Sequence, residues 1–222
     1  MQAFIFDFNG TLVMDSYMHE TAWRQYVEKL CHREVTEEEF KLHVHGKTSP
    51  MILEHFLGKG KLTKEEITAY SEEKEVCYRR LCLENKERFH LTEGAQEFLD
   101  RAKADEIPMT IATAANLANM NFYFEYFSLE KWFDIGKIVY DDASLKGKPE
   151  PDIYLKAVEK LSAKAEECVV FEDAVSGVIS ADRAGIGRII GIYADSSREL
   201  LEETGKTDIC IRDFREGLSV FF

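Results

Sequence analysis

The chain has 222 residues, 45% hydrophobic and 31% charged, which is ordinary for a globular protein and allows one large domain or a core with a smaller companion. Lys and Arg number 28 against 41 Asp and Glu, a net charge of −13, which argues against a general nucleic-acid binder because no basic excess exists to neutralise phosphates. No apolar run reaches the ~20 residues of a membrane span, the N-terminus lacks a basic segment leading into an apolar one, and Cys31, Cys77, Cys82, Cys168 and Cys210 form no C-x-x-C pair. The expectation is a cytoplasmic protein with buried thiols and no membrane partner.

Ala3-Phe4-Ile5-Phe6 runs into Asp7-Phe8-Asn9-Gly10-Thr11, an apolar strand entering a tight turn. From Asp15 the character changes. Ser16 can cap a helix bearing Ala22, Trp23, Tyr26, Val27 and Leu30, and further helical pieces follow near Thr36–His43, Pro50–Phe56 and Thr63–Leu83. Thr36 with Glu39, and Thr63 with Glu66, fit capping boxes. The acidic run Thr36–Glu39 reads as a solvated helix face.

After Leu91 helices and strands alternate. Helices are predicted at Glu93–Ala104, Ala118–Phe127, Asp152–Leu161, Ser176–Ala184 and Ser197–Thr204. Strands are predicted at Met109–Thr113, Ile138–Tyr140, Cys168–Phe171, Arg188–Ile192 and Asp208–Ile211. Apolar strands alternating with amphipathic helices imply a parallel sheet covered on both faces. The predicted fold is α/β: an open, parallel, Rossmann-like sheet from residues 1–14 and 87–222, with a helical cap, residues 15–86, inserted after the first strand. The aromatic helix around Phe122–Phe127 reads as core or subunit contact, and Phe221-Phe222 as packing on the sheet.

In such a sheet ligands bind outside the carboxyl ends of the strands. Those ends carry Asp7-Phe8-Asn9-Gly10-Thr11, then Thr113-Ala114-Ala115-Asn116, then Lys148-Pro149-Glu150-Pro151, then Glu172-Asp173. Carboxylates suit Mg²⁺, a hard cation that takes oxygen ligands. A hydroxyl and an ammonium suit phosphoryl oxygens. Each signal alone has a bland structural explanation; their joint occurrence in this order does not.

Asp7-x-Asn9-Gly10-Thr11, Thr113, Lys148-Pro149-x-Pro151 and Glu172-Asp173-x3-Gly177 resemble the four motifs of the haloacid dehalogenase superfamily. The resemblance spans the whole chain and is closest to the β-phosphoglucomutase and phosphoglycolate phosphatase branch. It implies phosphoryl transfer through an aspartyl-phosphate on Asp7. It implies Mg²⁺ held by Asp7, the backbone carbonyl of Asn9 and Asp173, with Glu172 contributing directly or through water. Thr113 would bind the transferring group, Lys148 would orient Asp7 and stabilise charge, and Gly10, Ala114 and Asn116 would lie against the substrate. In the cap, His19, Gly46 and Lys47 are the candidate substrate-binding residues, and the cap would set specificity.

One residue departs from the pattern: Asn9 stands where a second Asp, the general acid and base, is expected. An amide hydrogen-bonds but exchanges no proton at neutral pH, and general acid–base catalysis is worth ~10²–10⁴-fold. Four readings of Asn9 stay open. It is native, with His19 or a water chain moving the proton; it is native, with substrates whose leaving groups need little protonation; it is a substitution made to trap a complex; or turnover is lost and the protein only binds a phosphorylated ligand. The basic residues that a sugar-phosphate mutase carries on both sides of the cap glycine are missing around His45-Gly46-Lys47. A Mg²⁺-dependent phosphatase of a small phosphorylated metabolite therefore ranks ahead of a phosphohexomutase and of a binding protein with impaired turnover. The expected assembly is a monomer or weak homodimer.

Overall fold

The computed structural model describes residues 2–44, 47–194 and 197–222. The chain divides into two compact units, one of Met1–Met14 with His90–Phe222, the other Asp15–Phe89. Residues 87–89, expected with the sheet, fall with the helices.

The second unit holds α1 (Ser16–Cys31), α2 (Glu37–His43), α3 (Ser49–Leu57) and α4 (Lys64–Glu84). Their apolar faces meet around Trp23, Val27, Phe40, Ile52 and Leu53. Ser16 is not the cap of α1: Asp15 holds that position without capping, and its carboxylate accepts from the Tyr78 hydroxyl instead. Thr63 and Glu66 form the predicted capping box. Thr36 does accept from the Glu39 amide at 3.2 Å, but the Glu39 carboxylate is drawn to Arg33 at 2.7 and 2.8 Å and to His55 at 3.2 Å. That face is ion-paired, not merely solvated: Arg33 and His55 hold Glu39 down to about 2, and Glu37 meets Arg24 at 2.7 Å.

The first unit holds six parallel strands, β1 (Ala3–Phe6), β2 (Met109–Asn116), β3 (Val139–Asp141), β4 (Cys168–Glu172), β5 (Arg188–Ile192) and β6 (Ile209–Ile211). Their order is β3-β2-β1-β4-β5-β6. Both faces are covered, so β1 and β4 are buried throughout and read as unbroken apolar runs. Alternation sorts their side chains. Phe4, Phe6 and Phe171 meet Phe98, Phe214 and Phe221 on one face; Ile5 and Val170 meet Tyr154, Ala157, Val178 and Ala181 on the other.

The flanking helices are α5 (Ala95–Ala104), α6 (Leu117–Phe127), α7 (Asp152–Leu161), α8 (Val175–Arg183), α9 (Arg198–Glu202) and α10 (Phe214–Phe221). Helix α10 is absent from the sequence prediction, although Asp213 caps it through the Arg215 and Glu216 amides. Strand β2 runs on to Asn116 rather than ending at Thr113. Among the described residues no helix is long and apolar enough to cross a membrane. All five cysteines are free, but only Cys82, Cys168 and Cys210 are buried; Cys31 and Cys77 are partly exposed, which corrects the expectation of five buried thiols. Burial pushes the Cys82 thiol up to about 12, which leaves it inert as a nucleophile.

Candidate active site

The strand order reverses direction at β1. From it the chain builds outward through β2 and β3, then returns to place β4 on the opposite side. The crevice at such a switch point is where an open α/β sheet binds ligands. Asp7 follows β1 directly, and its amide donates to the Phe171 carbonyl at 3.0 Å. Phe6 is paired with Phe171, so Asp7 stands beside Glu172, the last residue of β4.

Asp7, Glu172 and Asp173 bring carboxylate oxygens within 4.8 Å of one another. Lys148, from the segment before α7, places Nζ 2.6 Å from Asp7 Oδ1 and also donates to Glu172 Oε1. Burial opposes the Lys148 charge, but the Asp7 and Glu172 carboxylates outweigh it and hold the ammonium well above the usual lysine range. Burial, then the charges of Glu172 and Asp7, push the Asp173 carboxyl well above the usual carboxylate range, with Lys148 acting against them. Three carboxylates against one ammonium leave the cluster short of positive charge. Oxygen donors alone, converging in a buried site, fit a hard divalent cation.

The carboxylates are held from behind. Glu172 is fully buried; Oε1 also accepts from the Tyr154 hydroxyl at 3.1 Å and Oε2 from the Ala174 amide at 2.9 Å. Gly177 clears the space it occupies, since a Cβ there would lie 1.6 Å from Glu172 Oε1. Gly10 does the same for Asp173, with a Cβ falling 2.1 Å from Oδ2 and a φ of +82° that favours glycine. Thr11 donates to Asp173 Oδ1 at 3.4 Å.

The remaining expected residues divide. Thr113 is buried and its Oγ1 accepts from the Ala115 amide at 3.1 Å. Phe6 pairs with Ile111, so Thr113 lies two residues further toward the carboxyl end. Ala114 is exposed. Asn116 caps α6, its Oδ1 accepting from the Asn119 amide at 2.9 Å. The Asn9 amide donates from Nδ2 to the Tyr123 hydroxyl at 2.9 Å.

His19 and Lys47 belong to the helical unit, and Gly46 lies outside the described residues. Lys47 is exposed. His19 stacks on Tyr78 at 3.8 Å, with Nδ1 3.1 Å from Lys74 Nζ and Nε2 3.6 Å from Asp15 Oδ2. The Lys74 ammonium can only donate, so Nδ1 is the acceptor and Nε2 carries the hydrogen. Burial lowers His19 to about 4; Asp15 works against this and Lys74 with it.

The model of the haloacid dehalogenase-like hydrolase family matches residues 1–185. The chain belongs to that family. It is 31% identical over 208 residues to the phosphorylated carbohydrates phosphatase of Thermotoga maritima, covering 91% of each chain. It is 29% identical over 204 residues to hexitol phosphatase A of Escherichia coli, covering 91% of this chain and 88% of the relative. Among solved structures, a family IA, variant 3 HAD hydrolase from Entamoeba histolytica superposes with a TM-score of 0.88 at 39% identity, covering 97% of this chain and 95% of that one.

Sequence reasoning about this hydrolase missed Tyr154, Thr11 and Tyr123 as parts of the site. Thr11 lay inside a quoted motif. Tyr154 and Tyr123 sit on helix faces that read as core, and nothing in their spacing marks a hydroxyl that reaches a polar partner.

Proposed function

We propose that this haloacid dehalogenase-like hydrolase is a Mg²⁺-dependent phosphatase of small phosphorylated metabolites, acting through an aspartyl-phosphate on Asp7. The observation that carries the reading is the buried Asp7–Lys148–Glu172 arrangement beside Asp173 at the sheet's switch point. The phosphatase names of the two relatives support it. The five free cysteines support a cytoplasmic location.

Asp7 attacks phosphorus, and the leaving oxygen departs with the electron pair of the broken bond and takes its proton from solvent; water then attacks the same phosphorus, gives its proton to solvent and frees the Asp7 carboxylate. A carboxylate approaching a phosphate dianion meets like-charge repulsion. Lys148 offsets it, fixes the Asp7 rotamer and donates to the equatorial oxygens as charge spreads over them. The Asp7 and Asp173 carboxylates, the backbone carbonyl of Asn9 and Glu172 would hold Mg²⁺, which supplies charge neutralisation of the phosphoryl oxygens when bound. Glu172 is the weakest of the four, because the ammonium, a phenol and an amide already use its oxygens. The Thr113 hydroxyl binds the transferring group. For the helical unit we propose a part in substrate choice, with Lys47 offering a cation to an anionic substrate.

Asn9 gives the reading its chemical character, since no proton passes through an amide at neutral pH. Activity should fall steeply as the leaving group becomes more basic. The test is phosphate release with Mg²⁺ from acetyl phosphate, an aryl phosphate, pyrophosphate and sugar phosphates. Asp7→Asn is expected to abolish release from all of them, and Asn9→Asp to gain ~10²-fold or more on sugar phosphates. Turnover retained in Asp7→Asn overturns the nucleophile; equal activity of both position-9 forms on sugar phosphates overturns the role given to Asn9.

A further inference from the structure

We propose that Tyr123 is the positioning residue for Asn9, fixing the plane and hydrogen-bond polarity that position 9 presents to the phosphoryl group. The proposal rests on the phosphatase reading, and deepens it at the residue where this chain leaves its family's pattern.

Tyr123 lies on α6, the helix that follows the Thr113 segment and is capped by Asn116. Its side chain is wholly buried, and its ring stacks on Phe8 with centroids 4.4 Å apart and planes 20° apart. Phe8 is the residue between Asp7 and Asn9. The stack therefore grips the backbone of the nucleophile turn while the hydroxyl, 2.9 Å from Asn9 Nδ2, grips the side chain after it. One tyrosine ties the turn after β1 to the helix after β2.

The donor inventory makes this more than packing. A primary amide has two N–H donors and a carbonyl acceptor, and a phenol has one O–H donor and acceptor lone pairs. With one N–H committed to the Tyr123 oxygen, the amide plane is set, and with it the directions of the second N–H and of Oδ1. A carboxylate at position 9 has no N–H to give, so the same contact requires the Tyr123 O–H to donate. The pair thus runs in opposite directions for amide and acid. A hydrogen bond to an ionised group is roughly twice as strong as a neutral one, so Tyr123 should matter more to an acid at position 9 than to the amide of Asn9.

The experiment is a double-mutant cycle on the full chain with Tyr123→Phe and Asn9→Asp. Phenylalanine keeps the ring that stacks on Phe8. Phosphate release from acetyl phosphate and p-nitrophenyl phosphate is measured for all four proteins with Mg²⁺. The side-chain amide of Asn9 is followed by ¹⁵N NMR, assigned by its loss in Asn9→Asp. With Asn9 in place, Tyr123→Phe should lower kcat about 2–10-fold, the size of one neutral hydrogen bond, with KM unchanged and the Asn9 amide signal shifted. With Asn9→Asp present, the same change should lower kcat about 10–100-fold. An equal loss in both backgrounds, or an Asn9 amide signal that does not move, reduces Tyr123 to packing and overturns the proposal. If none of the four proteins releases phosphate, the phosphatase reading fails, and the Asn9 amide signal still decides whether Tyr123 holds that side chain.

Discussion

Asp7 and Glu172 share one ammonium, and the room for this comes from residues with no side chain. A methyl at Gly177 would fall 1.6 Å from Glu172 Oε1. Glu172 cannot swing away, because Lys148, Tyr154 and the Ala174 amide hold it in a fully buried position. Gly177→Ala should therefore cost about 1–3 kcal/mol by overpacking, a Tm loss of roughly 2–12 °C for a chain of this size. Thermal unfolding checks this, and an unchanged Tm contradicts the described packing. The acids, the lysine and this glycine were legible in the sequence, because each sits at a predicted strand end or in a quoted motif. The hydroxyls of Tyr154 and Tyr123 were not legible, since an amphipathic helix shows which face is buried but not what a buried phenol touches.

At the scale of elements, α1 and α4 are joined by a polar cluster inside the helical unit. Asp15 and His19 come from the start of α1, Lys74 and Tyr78 from α4. The groups facing His19 include the Asp15 carboxylate, the Lys74 ammonium, itself paired with Glu75, and the Tyr78 phenol, and His19 stays neutral in the fold because burial lowers its value from 6.5 to about 4. The unfolded chain binds a proton there between those values and the folded chain does not, so stability is full above about pH 6.5 and falls toward pH 4. The imidazole is partly exposed, so the loss is on the order of 2 kcal/mol rather than the full shift. Comparing the pH dependence of unfolding with that of His19→Gln isolates it; identical slopes over this window contradict the assignment. Element boundaries were legible where the cap is made as its sequence pattern implies, as at Thr63 with Glu66. One slipped where the candidate cap side chain has another partner, as Asp15 before α1 has in Tyr78; at α2 Thr36 caps as expected, and it is the Glu39 half of the box that is drawn away to Arg33.

At the scale of the whole molecule, the order of α and β segments was enough to predict a parallel open sheet, because unbroken apolar strands need cover on both faces. Its last helix was harder to see: α10 follows a short strand, although Phe221 packs on Phe4 and Phe171 of the sheet as the sequence implied, and Phe214 joins Phe98 and Phe171 on the same face. The topology also assigns the chemistry a place, since only the β1–β4 junction gathers Asp7, Lys148, Glu172 and Asp173. The central claim is that Asp7 carries the phosphoryl group between substrate and water. Without an acid–base residue at position 9, the covalent species should be slow to hydrolyse and open to trapping. The direct measurement is to mix the protein with Mg²⁺ and acetyl phosphate, quench, reduce with borohydride and sequence the peptides by mass spectrometry. The account predicts homoserine at position 7 and at no other carboxylate, in an amount that decays as phosphate appears; phosphate released while Asp7 stays unmodified throughout would contradict it.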